Sequence, residues 1–324
     1  MDDGKVEELA SGIRRADRAS IARALNLLDD RRPAARQSAA QLLDLLLAEA
    51  LSSHAHLVGM TGPPGVGKSS LTAALIDVWR SRGLSVGILA VDPSSPLSGG
   101  ALLGDRLRMK ANGDDDAVFV RSLSSRGQFG GLSDETWPMS LVLLSCFDIV
   151  LLETVGVGQR EIDIAHSCDT TCFVAQPGSG DSIQFIKAGV LEMPHILVVN
   201  KADMGAIASR TRSELQATLG REHPDGDWQV PILSTSATDR SGIDTLADTL
   251  EEHRRNLLAT QRLRPRRHAF QAHWLMKRLE EEFGRSGINE LGGAQKLLEE
   301  LSHTGGNPLT LYQRCVQRLQ PATT

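Results

Sequence analysis

Gly62-Pro63-Pro64-Gly65-Val66-Gly67-Lys68-Ser69 follows the apolar run LVGMT (57–61) and precedes a helical pattern from Leu71 to Arg82. It matches GxxxxGK[ST] between a strand and a helix, the context in which that spacing holds nucleotide phosphates. The glycines let backbone N–H groups face the phosphates, and the helix N-terminus adds a favourable dipole. Lys68 is placed to reach the β- and γ-phosphates, Ser69 to offer its hydroxyl to Mg²⁺, and Ser70 to hydrogen-bond further into the cradle.

Outward from this loop the chain alternates short apolar runs with longer helical ones. VGILAVD (86–92), VFVRSL (118–123), DIVLLET (148–154), TCFVAQ (171–176), ILVVNK (196–201) and VPILST (230–235) are apolar on both faces. Such runs, alternating with helices, predict an α/β fold with a mainly parallel sheet covered on both sides. Before it, apolar residues at helical spacing from Asp17 to Ala50, interrupted at Arg31-Arg32-Pro33, predict a helical hairpin. After it, a helix from Ile243 to Thr260 leads through Arg262, Arg264, Arg266 and Arg267 into three helical segments, 266–283, 288–302 and 308–320, separated by Gly284, Gly287 and the Gly305-Gly306-Asn307-Pro308 turn. The expected organisation is an N-terminal helical segment (1–54), a nucleotide domain (55–260) and a C-terminal helical arm (261–324). The arginine run is read as a solvated face, with a phosphate or an acidic partner as its alternative ligand.

The 324 residues allow two domains, or one large domain with attachments, at about 100–200 residues per domain. Forty acidic against 35 basic residues give a net charge of -5, which argues against a nucleic-acid or anionic-membrane binder. No run approaches the ~18 apolar residues that span a bilayer, and the first ten residues carry acids where a signal peptide would be basic and then apolar. With only four cysteines, too sparse for a disulfide framework, the expected location is a reducing cytoplasm.

Asn200-Lys201-Ala202-Asp203 has the NKxD form that selects guanine. Guanine presents N1–H and N2–H₂ side by side, and an Asp203 carboxylate enclosed with the base accepts from both; adenine leaves it without partners. Ser236-Ala237-Thr238 supplies a second loop over the base. Glu153-Thr154-Val155-Gly156 stands where Asp-x-x-Gly is usual, with the acid near Mg²⁺ and the Gly156 amide toward the γ-phosphate. Asp92 and Asp105 could each hold Mg²⁺ or orient the attacking water; otherwise they are a strand-end turn residue and an N-cap. The catalytic candidates are therefore Lys68, Asp92, Glu153 and Gly156, and the metal candidates Ser69, Asp92, Asp105 and Glu153. Gln159, two positions beyond the usual water-orienting glutamine, predicts slow hydrolysis that accelerates when a partner orders the loop. The runs Arg126 to Gly131 and Gln176 to Asp181 read as further switch loops or plain surface connections.

Other candidates are weaker. Cys168 and Cys172, at i,i+4, lie on one face only if their segment is helical, and TTCFVAQ reads as a strand. His54 and His56 lack a third metal ligand. Trp137 is either an exposed partner contact or the buried first turn of a helix.

TGPPGVGKSS, VDPSSPLSGGALLGDRLRM, SSRGQFGGLS, ETVGVGQ, NKAD and TSAT, in this order, resemble the MeaB/ArgK family of P-loop GTPases, the methylmalonyl-CoA mutase-associated G proteins. The resemblance covers most of residues 20–320. It implies a SIMIBI-type G domain using GTP/GDP and Mg²⁺, N-terminal helices, and a C-terminal extension used for homodimerisation. It also implies a chaperone that gates cofactor loading and reactivation of an adenosylcobalamin-dependent acyl-CoA mutase. The family's later switch segment commonly reads PGAGDELQGIKKG. Here it is PGSGDSIQFIKAG (177–189), with Ser182, Phe185 and Ala188 replacing an acid, a glycine and a lysine. The mutase served could therefore be methylmalonyl-CoA mutase or a relative acting on isobutyryl-CoA or 2-hydroxyisobutyryl-CoA. The rival functions are a kinase or ATPase acting on a small molecule, and a metal-insertion GTPase, for which the nine histidines are too scattered.

Overall fold

Helical periodicity at the N-terminal end becomes α1 (Asp3–Arg14), α2 (Arg18–Asp29) and α3 (Pro33–Ser52). The expected hairpin is α2 and α3: Asp17 caps α2 by accepting from the Ser20 amide at 2.9 Å, and Pro33 opens α3, where its missing N–H costs nothing. The additional helix α1 buries Val6, Leu9, Ala10 and Ile13, an i, i+3, i+4, i+7 stripe that the same periodicity argument reaches once applied upstream of Asp17. The computed structural model describes residues 2–92, 115–124, 134–154, 164, 166–178, 194–218, 222–223, 226–303 and 306–319.

The apolar runs form β1 (His56–Thr61), β2 (Val86–Asp92), β3 (Val118–Ser124), β4 (Ile149–Thr154), β5 (Thr170–Ala175), β6 (Ile196–Val199) and β9 (Ile232–Ser234). They make a seven-stranded sheet in the order β3-β2-β4-β1-β5-β6-β9, and every pair in it is parallel. A small antiparallel hairpin, β7 (Glu222–His223) with β8 (Gly226–Gln229), lies outside it; its strands are too short for alternation to announce them. The phosphate loop leads from β1 into α4 (Lys68–Ser81). One sheet face packs on Leu71, Leu75, Ile76 and Trp79 of α4 and on Ile243, Leu246 and Leu250 of α7 (Ile243–Ala259). The other carries Phe173, Ala175, Leu197 and Val199 against Ala208 and Leu215 of α6 (Ala206–Thr218).

Thr61, Thr154, Ala175, Val199 and Ser234 end their strands at one edge. The chain leaves β1 toward β2 on one side, while β5 lies on its other side. This change of direction leaves the crevice at the strand ends where α/β sheets bind ligands.

The described chain divides into two compact units. The sheet unit comprises residues 55–133 and 147–263. The helical unit joins residues 1–54 and 264–324 with the segment 134–146. That segment contains α5 (Thr136–Leu144), TWPMSLVLL, which is buried along its whole length and packs on α2 and α3. Trp137 is thus the buried first turn of a helix.

In the C-terminal region, α8 (Leu263–Glu290) is two helical stretches joined at the expected break, Gly284, whose φ of 64° and ψ of -174° are not helical. The second stretch stops at Gly292-Gly293, both at positive φ, before α9 (Ala294–His303) and α10 (Pro308–Leu319). Leu275, Leu279, Leu297, Leu301, Leu311 and Cys315 form their common core. The arginine run is not wholly solvated: Arg267 is only 2% exposed and donates to the carbonyls of Ala50 and Ser53, both at 2.8 Å, closing the end of α3. Among the described residues no helix is long and apolar enough to cross a membrane, and no cluster of three metal-binding side chains occurs.

Candidate nucleotide site

The phosphate loop is shaped by two glycines whose conformations exclude a side chain. Gly62 has φ 142°, and a Cβ there would stand 2.2 Å from the Val174 carbonyl oxygen. Gly67 has φ 93°, and its Cβ would meet Asn200 Nδ2 at 2.6 Å. Gly65, at φ 78°, turns the loop between them, with Pro63, Pro64 and the buried Val66 filling the remaining positions. Helix α4 begins at Lys68, so its first-turn N–H groups, including those of Ser69 and Ser70, have no acceptor within the helix. Lys68 is 6% exposed, and its ammonium lies within the loop and donates to the carbonyls of Gly62 at 2.6 Å and Pro63 at 2.8 Å.

β4 brings Glu153 into register with Met60 of β1, two residues ahead of the loop. There Ser69 Oγ donates to Glu153 Oε1 at 2.6 Å, and Glu153 is 4% exposed. A hydroxyl and a carboxylate converging beside a phosphate cradle form a hard oxygen donor set that fits Mg²⁺. Next to them Thr154 Oγ1 donates to Thr61 Oγ1 at 3.3 Å, tying the ends of β4 and β1. Asp92 ends β2, one residue past the Val91–Thr154 pair, but its side chain, Asp105, Gly156 and Gln159 lie outside the described residues. So do residues 126–131 and 179–189.

The base-side motifs converge at the ends of β6 and β9. Asn200 donates through Nδ2 to the Val66 carbonyl at 2.8 Å and accepts through Oδ1 from Thr235 Oγ1 at 3.1 Å, bracing the phosphate loop against both strands. Lys201 adopts a left-handed conformation, φ 57°, and its ammonium reaches the Gly65 carbonyl at 2.8 Å and Gln176 Oε1 at 3.1 Å. Asp203, in the short turn Ala202–Met204, accepts from Ser236 Oγ at 2.6 Å, and Ser236 Oγ in turn accepts from the Asp239 amide at 3.2 Å. Ala237 is half-buried and Thr238 exposed on the same loop.

Asp203 is exposed, contrary to the expected enclosure. Its discrimination against adenine therefore arises only once a base covers it and removes its water. Three further residues support the site in roles the motifs did not assign. Thr235 holds Asn200, Gln176 holds Lys201, and Arg240, at φ 58°, pairs with Asp77 of α4 at 2.5 Å, pinning the base loop. Thr235 opens the TSAT run and Gln176 the run to Asp181, whereas Arg240 and Asp77 carry no local signal.

The other candidates resolve simply. Cys168 and Cys172 are buried, with Cys172 inside β5, so no i,i+4 helical face exists. His56 is buried and bonds Thr170 Oγ1 at 2.5 Å, as does His253 Nδ1 at 2.6 Å, making it part of a packed polar cluster.

A family model described as "Methylmalonyl Co-A mutase-associated GTPase MeaB" matches residues 21–289. The GTPase ArgK of Escherichia coli is 34% identical over 290 residues, 87% of this chain and 86% of that protein. The mitochondrial methylmalonic aciduria type A homolog of Caenorhabditis elegans is 31% identical over 297 residues, 87% of this chain and 74% of that protein. A crystal structure titled LAO/AO transport system kinase superposes with a TM-score of 0.71 at 26% identity, covering 99% of both chains. The chain belongs to the MeaB family of GTPases, and its P-loop fold binds guanine nucleotide and hydrolyses GTP.

Proposed function

We propose that this GTPase serves as a chaperone for an adenosylcobalamin-dependent acyl-CoA mutase, gating cofactor loading and reactivation, and that it does so as a homodimer in the cytoplasm. The family description and the name of the Caenorhabditis relative support the mutase as partner. The site observation that carries the nucleotide chemistry is the Ser69–Glu153 contact at 2.6 Å beside the Lys68 ammonium. In this reading residues 62–70 hold the phosphates, Asn200, Lys201 and Asp203 with residues 236–238 hold the guanine, and Lys68 draws charge off the β- and γ-oxygens. Ser69 and Glu153, with Asp92 and Asp105, hold Mg²⁺, which when bound neutralises charge between the β- and γ-phosphates. Gly156 donates its amide to the γ-phosphate.

The decisive measurement is GTP turnover alone and with each of a panel of purified acyl-CoA mutases. One mutase should raise the rate by at least about tenfold, as expected when a partner completes a switch. A panel in which none does so removes the chaperone reading and leaves the GTPase. Sedimentation of the protein with GDP and with a non-hydrolysable GTP analogue tests the dimer; a monomer in both states overturns it.

A further inference from the structure

Two neighbouring carbonyls of the phosphate loop are held by two successive residues just past β6. Asn200 Nδ2 donates to Val66 and the Lys201 ammonium to Gly65, both at 2.8 Å. Each side chain has a second anchor: Thr235 Oγ1 for Asn200 and Gln176 Oε1 for Lys201, both at 3.1 Å. The settings differ. Asn200 is 2% exposed and Thr235 is buried, whereas Lys201 and Gln176 are half-buried, so water competes for the ammonium. Lys201 also sits in the left-handed region, φ 57° and ψ 44°, a conformation that persists only where neighbours hold it.

Gln176 starts from a fastened backbone. It follows β5, whose last carbonyl, Ala175, accepts from the Asn200 amide at 3.0 Å. Beyond it Pro177 is buried, and the Gly178 amide donates to Thr211 Oγ1 of α6 at 3.2 Å. Gly178 has φ 73°, and a Cβ there would stand 3.1 Å from Ile207 of the same helix. The turn carrying Gln176 is thus tied to the end of β6 on one side and to α6 on the other.

We propose that Gln176 is a positioning residue for nucleotide retention: its carboxamide keeps the Lys201 ammonium on Gly65, and this clasp slows the release of GDP. The proposal rests on the reading that Asn200, Lys201 and Asp203 hold the guanine. In that reading the nucleotide joins the phosphate loop to the base motif, so the two must part as it leaves, and a contact that resists parting acts on the dissociation rate. An amide oxygen on an ammonium is a charge-assisted hydrogen bond, stronger than a neutral one and weakened here by partial exposure.

Stopped-flow release of a fluorescent GDP analogue from the full chain, chased with excess GDP, tests this. Gln176→Leu keeps the bulk, removes the acceptor and should release at least about fivefold faster. Gln176→Glu, which restores an acceptor, should release no faster than wild type. Lys201→Met should itself speed release, and adding Gln176→Leu to it should change nothing more, because the glutamine acts through the lysine; independent residues would multiply their effects. Wild-type release from Gln176→Leu overturns the proposal. So does a Gln176→Glu protein as fast as Gln176→Leu, or an undiminished effect of Gln176→Leu on the Lys201→Met background. A Lys201→Met protein that releases at the wild-type rate removes the base-side reading, and the proposal with it.

Discussion

Asp203 presents its carboxylate at the surface, held by Ser236 Oγ at 2.6 Å. A guanine base accepts that orientation and donates two hydrogen bonds to a charged acceptor, each worth about 1.5–3 kcal/mol. Asp203→Asn removes the charge and turns one acceptor into a donor facing N1–H or N2–H₂. GTP affinity should fall by at least about a hundredfold, measured by displacement of a fluorescent GDP analogue. Gly67 shows why the motif is spelled as it is: the left-handed backbone and the Asn200 amide 2.6 Å from a would-be Cβ both exclude a side chain. At the same scale, burial pushes the thiols of Cys146 and Cys172 up to about 12. At pH 8 roughly one such thiol in ten thousand is ionised, and the thiolate is the reactive form. The native protein should therefore show no fast reaction at these positions with Ellman's reagent, all four thiols becoming reactive on unfolding in urea.

Among the elements, α4 links the loop's chemistry to the core. Its N-terminus carries Lys68 and Ser69, and its apolar face buries Leu71, Leu75, Ile76 and Trp79 against the sheet. Leu75→Ala should cost about 2–5 kcal/mol of stability, as the removed methyl groups leave a cavity. The shift of the urea midpoint checks this, and GTP should still bind because the loop residues are untouched. The sheet strands were legible because burial on both faces leaves a continuous apolar run, and parallel strands joined by helices space those runs widely. The helix stops were legible in part. Gly284 breaks the helical backbone of α8 where the glycine predicts, while Leu275, Leu279 and Ile288 on its two sides share one core. Gly292-Gly293 ends the second stretch, as two successive left-handed residues cannot continue a right-handed helix.

Across the whole molecule, residues from both ends of the chain make one helical unit. Arg267 closes α3 on Ala50 and Ser53, and Asn307 reaches Ala40 at 3.1 Å and Asp44 at 2.6 Å. Arg267→Met keeps the volume but leaves the buried Ala50 carbonyl and the half-buried Ser53 carbonyl without their charged donor. It should lower stability by about 2–4 kcal/mol, read as an earlier urea transition. Nucleotide affinity, measured on the same preparation, should be unchanged, since the phosphate loop lies in the sheet unit.

By itself the sequence determined the parallel α/β fold, the phosphate loop and the choice of guanine. Each of these is encoded locally: a strand, a tight turn and a helix start, or four consecutive residues at a strand end, carry their chemistry within a few positions. Only the tertiary structure decided that Arg267 is buried, that Trp137 is core, that Asp203 stays exposed, and that Thr235, Gln176 and the Arg240–Asp77 pair brace the site. It also decided that the segment 134–146 belongs with the chain ends. These outcomes depend on partners tens to hundreds of positions away, and an arginine or a tryptophan carries no local mark of which carbonyl or ring will meet it once the chain has folded.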